Sequence, residues 1–150
     1  MTHLRKTIRD STATRLTGLT TTGSRVYKSR NLPLTATEFP CLAIYARLDV
    51  LDYFRAGFSG GIAYPVRTVE LHVVGYVKDS DSSAIEDTLD LIAEEVEVSI
   101  FSSPLTGAMG LTIGGQTISV DASGDETVGV VDIVFNAMYR TAEGAPGTAF

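Results

Sequence analysis

Gly57-Phe58-Ser59-Gly60-Gly61 spells the G-x-S-x-G pattern of a nucleophile elbow, in which a serine on a sharp strand-to-helix turn is exposed to its base. The context is wrong for that chemistry. The chain continues through Ile62-Ala63-Tyr64-Pro65, where a helix cannot extend past the proline, and only His72 follows as a base. A plain glycine turn is the better reading of Ser59. Glu70 and His72 lie two residues apart on an expected strand and so share one side of it. They amount to two-thirds of a metal site, but spacing identifies no third ligand, and a surface or interface histidine accounts for His72 as well. Cys41 follows Pro40 in an apolar run and reads as a buried, inert thiol. Asp79-Ser80-Asp81-Ser82-Ser83 opens like a calcium loop, but Ala84 stands where that loop needs glycine and Asp90 where it needs glutamate. Helix capping explains it more simply. No G-x-x-x-x-G-K-[ST] stretch is present, which excludes a P-loop. No catalytic residue, metal or cofactor is expected.

The elements that would position these groups follow from periodicity. Leu4, Ile8, Thr12 and Leu16 recur every four residues and predict a helix that stops near Gly18. Leu19 to Gly23 reads as a threonine-rich turn and Arg25 to Lys28 as a short strand. Asn31 to Pro40 is a connector with two prolines, and Cys41 to Ala46 is an apolar strand. Val69, Leu71, Val73 and Val77 alternate with Glu70, His72 and Tyr76, which suits a half-buried strand. Asp49 to Pro65, with three glycines and the aromatics Tyr53, Phe54, Phe58 and Tyr64, reads as a long flexible loop over 49–65. Aromatic side chains on such a loop are expected to pack on a partner or back onto the domain.

Ile85, Leu89, Ile92, Val96 and Ile100 mark one face of a second helix, with Ser83 and Glu86 fitting a capping box. Its outer face carries Glu86, Asp87, Asp90, Glu94, Glu95 and Glu97 and no base. Like charges four apart cost a few tenths of a kcal/mol each, so helix stability does not explain that acidity. Leu111 to Val120, bulged at Gly114-Gly115, and a long strand with Val131, Ile133, Phe135, Ala137 and Tyr139 on one face form a hairpin turning at Ala122-Ser123-Gly124-Asp125. Residues 142–150 show no period and are expected to be a mobile tail. The order is α-β-β-β-α-β-β. It predicts an α+β fold, a four- to five-stranded mostly antiparallel sheet with two helices packed on one face, in a single domain over 1–150.

Composition agrees with a self-sufficient domain. The chain has 150 residues, 44% hydrophobic and 20% charged, and a domain of this size buries roughly 70% of its unfolded surface. One cysteine allows no internal disulfide, and the opening residues lack the apolar stretch of a secretion signal, which together point to a reducing cytoplasm. No run of about 18 apolar residues is present, so no membrane partner is expected. Charge is unevenly placed. Residues 1–30 hold seven basic residues against Asp10, a net of +6, and the rest of the chain carries −12. That split suits nucleic-acid binding through the basic end, or docking of that end on the acidic face of another copy. A solvated helix face would give the same pattern. The basic helix has no interleaved aromatics, so sequence-specific nucleic-acid binding is not expected.

Several segments together resemble the tail terminator proteins of long-tailed bacteriophages, the minor tail protein U-like group. They are Leu4-Arg5-Lys6-Thr7-Ile8-Arg9 leading to Leu16-Thr17-Gly18-Leu19, and Arg25-Val26-Tyr27-Lys28-Ser29-Arg30 with Pro33 and Leu34. Phe39-Pro40-Cys41-Leu42-Ala43-Ile44-Tyr45, the strand Val69 to Val77, the helix Asp87 to Ile100 and Tyr139-Arg140-Thr141-Ala142-Glu143-Gly144 complete the set. The resemblance implies a structural virion protein, a six-membered homo-oligomeric ring that caps the tail tube, stops its polymerisation and offers the surface the head joins. Implied partners are further copies of itself, the tail tube protein and a head–tail connector or stopper protein, with DNA passing through the lumen. The implied location is the head-proximal end of the virion tail, assembled in the host cytoplasm.

Within that frame, Tyr53, Phe54, Arg55 and Phe58 are candidates for the tube contact. Lys6, Arg9 and Arg30 on one copy, with Glu86, Asp90, Glu94 and Glu97 on the next, are candidates for inter-subunit charge pairing. Alternatively, the acidic helix lines the lumen and repels passing DNA. Another head–tail joining protein, a terminator from a gene transfer particle, or a small dimeric ligand-binding α+β module remain competing readings.

Overall fold

The computed structural model describes residues 2–30, 35–122 and 126–150. The elements run α1 (Leu4–Leu16), β1 (Val26–Lys28), a short 3-10 turn (Ala36–Glu38), β2 (Cys41–Ser59), β3 (Ile62–Asp79), α2 (Ser82–Phe101), β4 (Gly110–Asp121) and β5 (Thr127–Arg140). Five strands form one sheet in the order β1-β2-β3-β5-β4. β1 pairs parallel to β2 and every other pairing is antiparallel. The chain is an α+β fold of the order its periodicities predict.

The core lies between the helices and one face of the sheet. α1 buries Leu4, Ile8, Thr12, Ala13 and Leu16, and Thr12 returns its hydroxyl proton to the Ile8 carbonyl at 2.8 Å. α2 buries Ile85, Leu89, Ile92, Ala93, Val96 and Ile100. On the sheet, Leu42 and Ile44, then Val69, Leu71, Val73 and Val77, then Val131, Ile133, Phe135, Ala137 and Tyr139 complete one cluster. Register explains why they meet: Ile44 pairs with Val73 and Val73 with Ile133, so rows of alternate residues line up across the sheet.

The start of α2 differs from the expected Ser83–Glu86 capping box. Asp81 is the N-cap and accepts from the Ser83 N–H at 3.0 Å, so Ser83 lies inside the first turn. The bulge expected at Gly114-Gly115 is present as a register shift between Ile113 and Gly115. Most of the expected 122–125 turn, and the prolyl connector at 31–34, fall outside the described residues.

The expected flexible loop over 49–65 is instead a β-ribbon formed by the far ends of β2 and β3, with a register shift between Asp52 and Gly57. Ser59 pairs with Ile62, and Gly60 and Gly61 make the turn at φ 58° and 78°, the left-handed pair that a two-residue hairpin needs. β-branched and aromatic residues favour this extended form. No residue of the β2 half, 49–59, is buried and only Ala63 and Pro65 are buried on the β3 half, so no hydrophobic alternation announces it. The tail at 142–150, expected to be free, is folded back. Pro146 accepts from the Leu4 N–H at 2.9 Å, Phe150 donates to the Arg140 carbonyl at 3.0 Å, and the Phe150 ring stacks on Tyr64 at 3.9 Å.

α2 approaches the sheet closely where β3 and β5 carry glycine. A Cβ on Gly129 would stand 2.2 Å from Ile85 Cγ2 and 2.9 Å from Leu89 Cδ1. The first is a β-branched methyl close to the helix backbone, so it cannot swing away. Gly129→Ala is expected to cost about 1–3 kcal/mol, read as a fall of several degrees in Tm. An unchanged Tm would show that α2 rests less tightly on β5 than this packing requires.

Candidate assembly surfaces

The ribbon leaves the core at Asp49. Its carboxylate, nearly buried, accepts from the Tyr139 hydroxyl at 2.7 Å and stands 3.7 Å from Arg67 and 3.8 Å from Arg5. One carboxylate therefore ties β2 to β3, β5 and α1. Burial and this hydrogen bond together hold the Tyr139 phenol well above its ordinary range. Further out, Tyr53 donates to Glu143 at 2.6 Å and Arg140 to the Arg55 carbonyl at 3.2 Å. These bonds brace the base of the ribbon and leave its tip clear.

The tip is apolar and uncovered. Phe58 is 74% exposed and Ile62, which pairs with Ser59, about half exposed, and Phe54, in the irregular stretch between Asp52 and Gly57, is 99% exposed. Burying one such side chain is worth about 1.5–3 kcal/mol, so Phe54 and Phe58 are the ribbon side chains with the most apolar surface left in water. Of the tube-contact candidates, Phe54 and Phe58 project freely. Tyr53 is bonded to Glu143, and Arg55 stands 3.7 Å from Asp52.

The charge candidates divide unevenly. Lys6 and Lys28 both bind Asp10, Arg30 binds Glu38 and lies over the Tyr27 ring at 4.6 Å, and Arg9 donates to Ser29 at 3.2 Å. Asp10 is held below its usual carboxylate range by the two lysine hydrogen bonds. Arg15 donates to the carbonyls of Ser103 and Pro104 at 2.8 and 3.1 Å, capping the end of α2. On the acidic side, Glu95 accepts from the backbone and hydroxyl of Thr21 at 3.1 and 3.0 Å, pinning the 19–23 turn to α2. Glu97 accepts from Gln116 at 3.4 Å. Glu86, Asp90 and Glu94 are exposed and have no ion-pair partner among the described residues.

The residues that could carry chemistry are dispersed. Ser59 sits at the ribbon tip between two strands, whereas His72 pairs with Tyr45 in the body of the sheet. Cys41 is fully buried, and burial, aided by Glu38, pushes its thiol up to about 11. His72 does gain a third group that spacing had not revealed: Asp132 reaches it diagonally from β5. Its Nδ1 meets Asp132 at 2.9 Å and its Nε2 meets Glu70 at 2.7 Å. The two carboxylates flank opposite ring nitrogens instead of converging on one point, and no group suited to a metal ion occurs among the described residues. A shallow concavity of about 770 Å³ lies over Lys6, Asp10, Thr14, Arg15 and Thr106. No helix among the described residues is long and apolar enough to cross a membrane.

No known protein family matches the sequence, and no curated protein does. A solved structure does match in shape. A chain of the "Virion of native gene transfer agent (GTA) particle" superposes with a TM-score of 0.53 at 14% identity, over 93% of this chain and 96% of that one. The two chains share a fold over nearly their whole lengths.

With a carboxylate on each ring nitrogen, the form of His72 that satisfies both is the doubly protonated one. Partial burial is the largest single influence and lowers its pKa, but the hydrogen bonds and charges of Asp132 and Glu70 outweigh it and raise the pKa above 6.5. The stability this contributes is complete below about pH 6.5 and is lost as pH rises through the folded-state value. Tm should therefore fall over that window in the native chain and stay flatter in His72→Gln. NMR titration of His72 at or below 6.5 would contradict the geometry.

Proposed function

We propose that this chain is a non-enzymatic structural protein of a phage or phage-like virion, a terminator whose ring caps the tail tube and offers the head-joining surface. The observation that carries the reading is the end-to-end fold likeness to a chain of a gene transfer agent virion. The likeness to tail terminators in the segments around Leu4–Arg9, Phe39–Tyr45 and Tyr139–Gly144 supplies the specific role. A terminator has to match the tube end on one side and present a non-matching surface on the other, since a heterologous contact that does not close would go on polymerising.

In this reading the ribbon makes the tube contact, through Phe54 and Phe58 with Tyr53 and Arg55 on either side of Phe54. The ring has six members, and its neighbours meet by charge. Lys6, Arg9 and Arg30 on one copy face Glu86, Asp90, Glu94 and Glu97 on the next. The partners are further copies of the chain, the tube protein and a connector or stopper protein, with DNA passing through the lumen.

The double substitution Phe54→Ser/Phe58→Ser should leave Tm and ring formation unchanged and abolish capping, seen as overlong tubes by electron microscopy. Tubes of normal length would remove the ribbon from the tube contact. Ring assembly should also weaken as salt rises from about 0.05 to 0.5 M, and zero-length cross-linking should join Lys6 to Glu94 between copies. Assembly indifferent to salt would argue against the charge contact.

A further inference from the structure

β4 forms one outer edge of the sheet and lacks most of the features that keep an edge from pairing. Gly110 to Asp121 contains no lysine, arginine or proline, and its single acid comes last. Every residue from 112 to 121 is exposed. With its register shift between Ile113 and Gly115, the strand keeps Gln116 to Asp121 in unbroken register with β5. Its side chains are also unfinished business for the core. Ile113, Gln116, Ile118 and Val120 pair with Phe135, Ile133, Val131 and Gly129, the row that faces the helices. Among the described residues no helix lies beyond α2 to cover them. Ile113, Ile118 and Val120 therefore stay 38–48% exposed, beside Leu91, Val98 and Phe101 on the outer flank of α2 at 46–68%. The helix layer ends one helix short of the sheet.

The opposite edge has what is missing. There α1 packs over β1 and β2, and among the described residues no strand pairs with the outer side of β2 beyond Tyr45. Strand direction is compatible. β1 and β2 run together, β3 reverses, β5 runs with β2, and β4 reverses again. A second copy in the same orientation would set its β1/β2 edge antiparallel to β4 and continue the alternation. Its α1 would then fall on the bare β4 row, alongside α2. Charge agrees too, since α1 and β1 bring Lys6, Arg9 and Lys28 toward Asp90, Glu94 and Glu97.

We infer that β4 is the joint for a second copy of this chain, which pairs its β1/β2 edge with β4 and lays its α1 against α2. The inference rests on the ring reading and supplies its joint. A two-fold pairing of β4 with β4 would instead bring two acidic α2 flanks together and leave both α1 helices outside. The head-to-tail pairing repeats the same contact at every copy, and a ring forms when the rotation from copy to copy closes.

Register through the sheet sets Thr117 level with Tyr27, beside Lys28: Thr117 pairs with Asp132, Asp132 with Val74, Val74 with Ala43, and Ala43 with Tyr27. In the full chain, Thr117→Cys/Lys28→Cys treated with a short bismaleimide should give a ladder of covalent multimers, and each single variant none. The buried Cys41 thiol stays silent. Val98→Lys, at a 68% exposed position, should keep its Tm and lose at least tenfold in self-association. Dimers from Thr117→Cys alone would mean two-fold pairing and overturn the inference. Rings in negative stain with no ladder, and unchanged in Val98→Lys, would overturn the joint and leave the ring reading standing. A monomeric mass up to the solubility limit, with no ladder, would overturn both.

Discussion

The helices are too short to cover the strands, and most of the molecule's surface character follows from that mismatch. An 18-residue strand such as β3 spans about 60 Å, whereas the 20 residues of α2 span about 30 Å. About half of the β2–β3 ribbon must therefore run past the core. Two helices side by side also span fewer strands than five, so β4 is left without a cover. The ribbon tip and the β4 edge are two exposed consequences of one dimension. Asp49 stands where the cover ends, and its bonds to Tyr139, Arg67 and Arg5 give the overhang a fixed root.

Electrostatics add a second level. The N-terminal cations are engaged within the chain, by Asp10, by Glu38 and by the end of α2, while Glu86, Asp90 and Glu94 are not. Exposed pairs of this kind are worth only about 0–1 kcal/mol, so Lys6 and Lys28 can exchange Asp10 for a neighbour's carboxylates at small cost. The same weakness makes any such contact sensitive to salt. Glu95 is different, because its two bonds to Thr21 fasten a turn to the helix.

The titratable groups within the sheet serve structure. His72 bridges β3 and β5 through Asp132 and holds Glu70 beside it, so three ionisable side chains on the open face satisfy one another. That arrangement lets a sheet face carry charge without convergence on a ligand.

The sequence by itself determined the elements wherever a buried face imposed a period. The four-residue steps of Leu4 to Leu16, the stripe of Ile85 to Ile100 and the alternation of Val131 to Tyr139 all reappear as core rows, because burial selects apolar residues at the period of the backbone. It could not determine segments that bury nothing on either side. The β2 half of the ribbon over 49–65 read as a loop for that reason, the buried Ala63 and Pro65 of its β3 half being too few to show a period, and the tail at 142–150 because two of its anchors, Leu4 and Tyr64, are remote in sequence. Only the tertiary structure placed the last strand, β5, between β3 and β4, and so brought Asp132 to His72 and left β4 at the edge. Strand order depends on which distant rows pack together under the helices, and local composition carries no record of that choice.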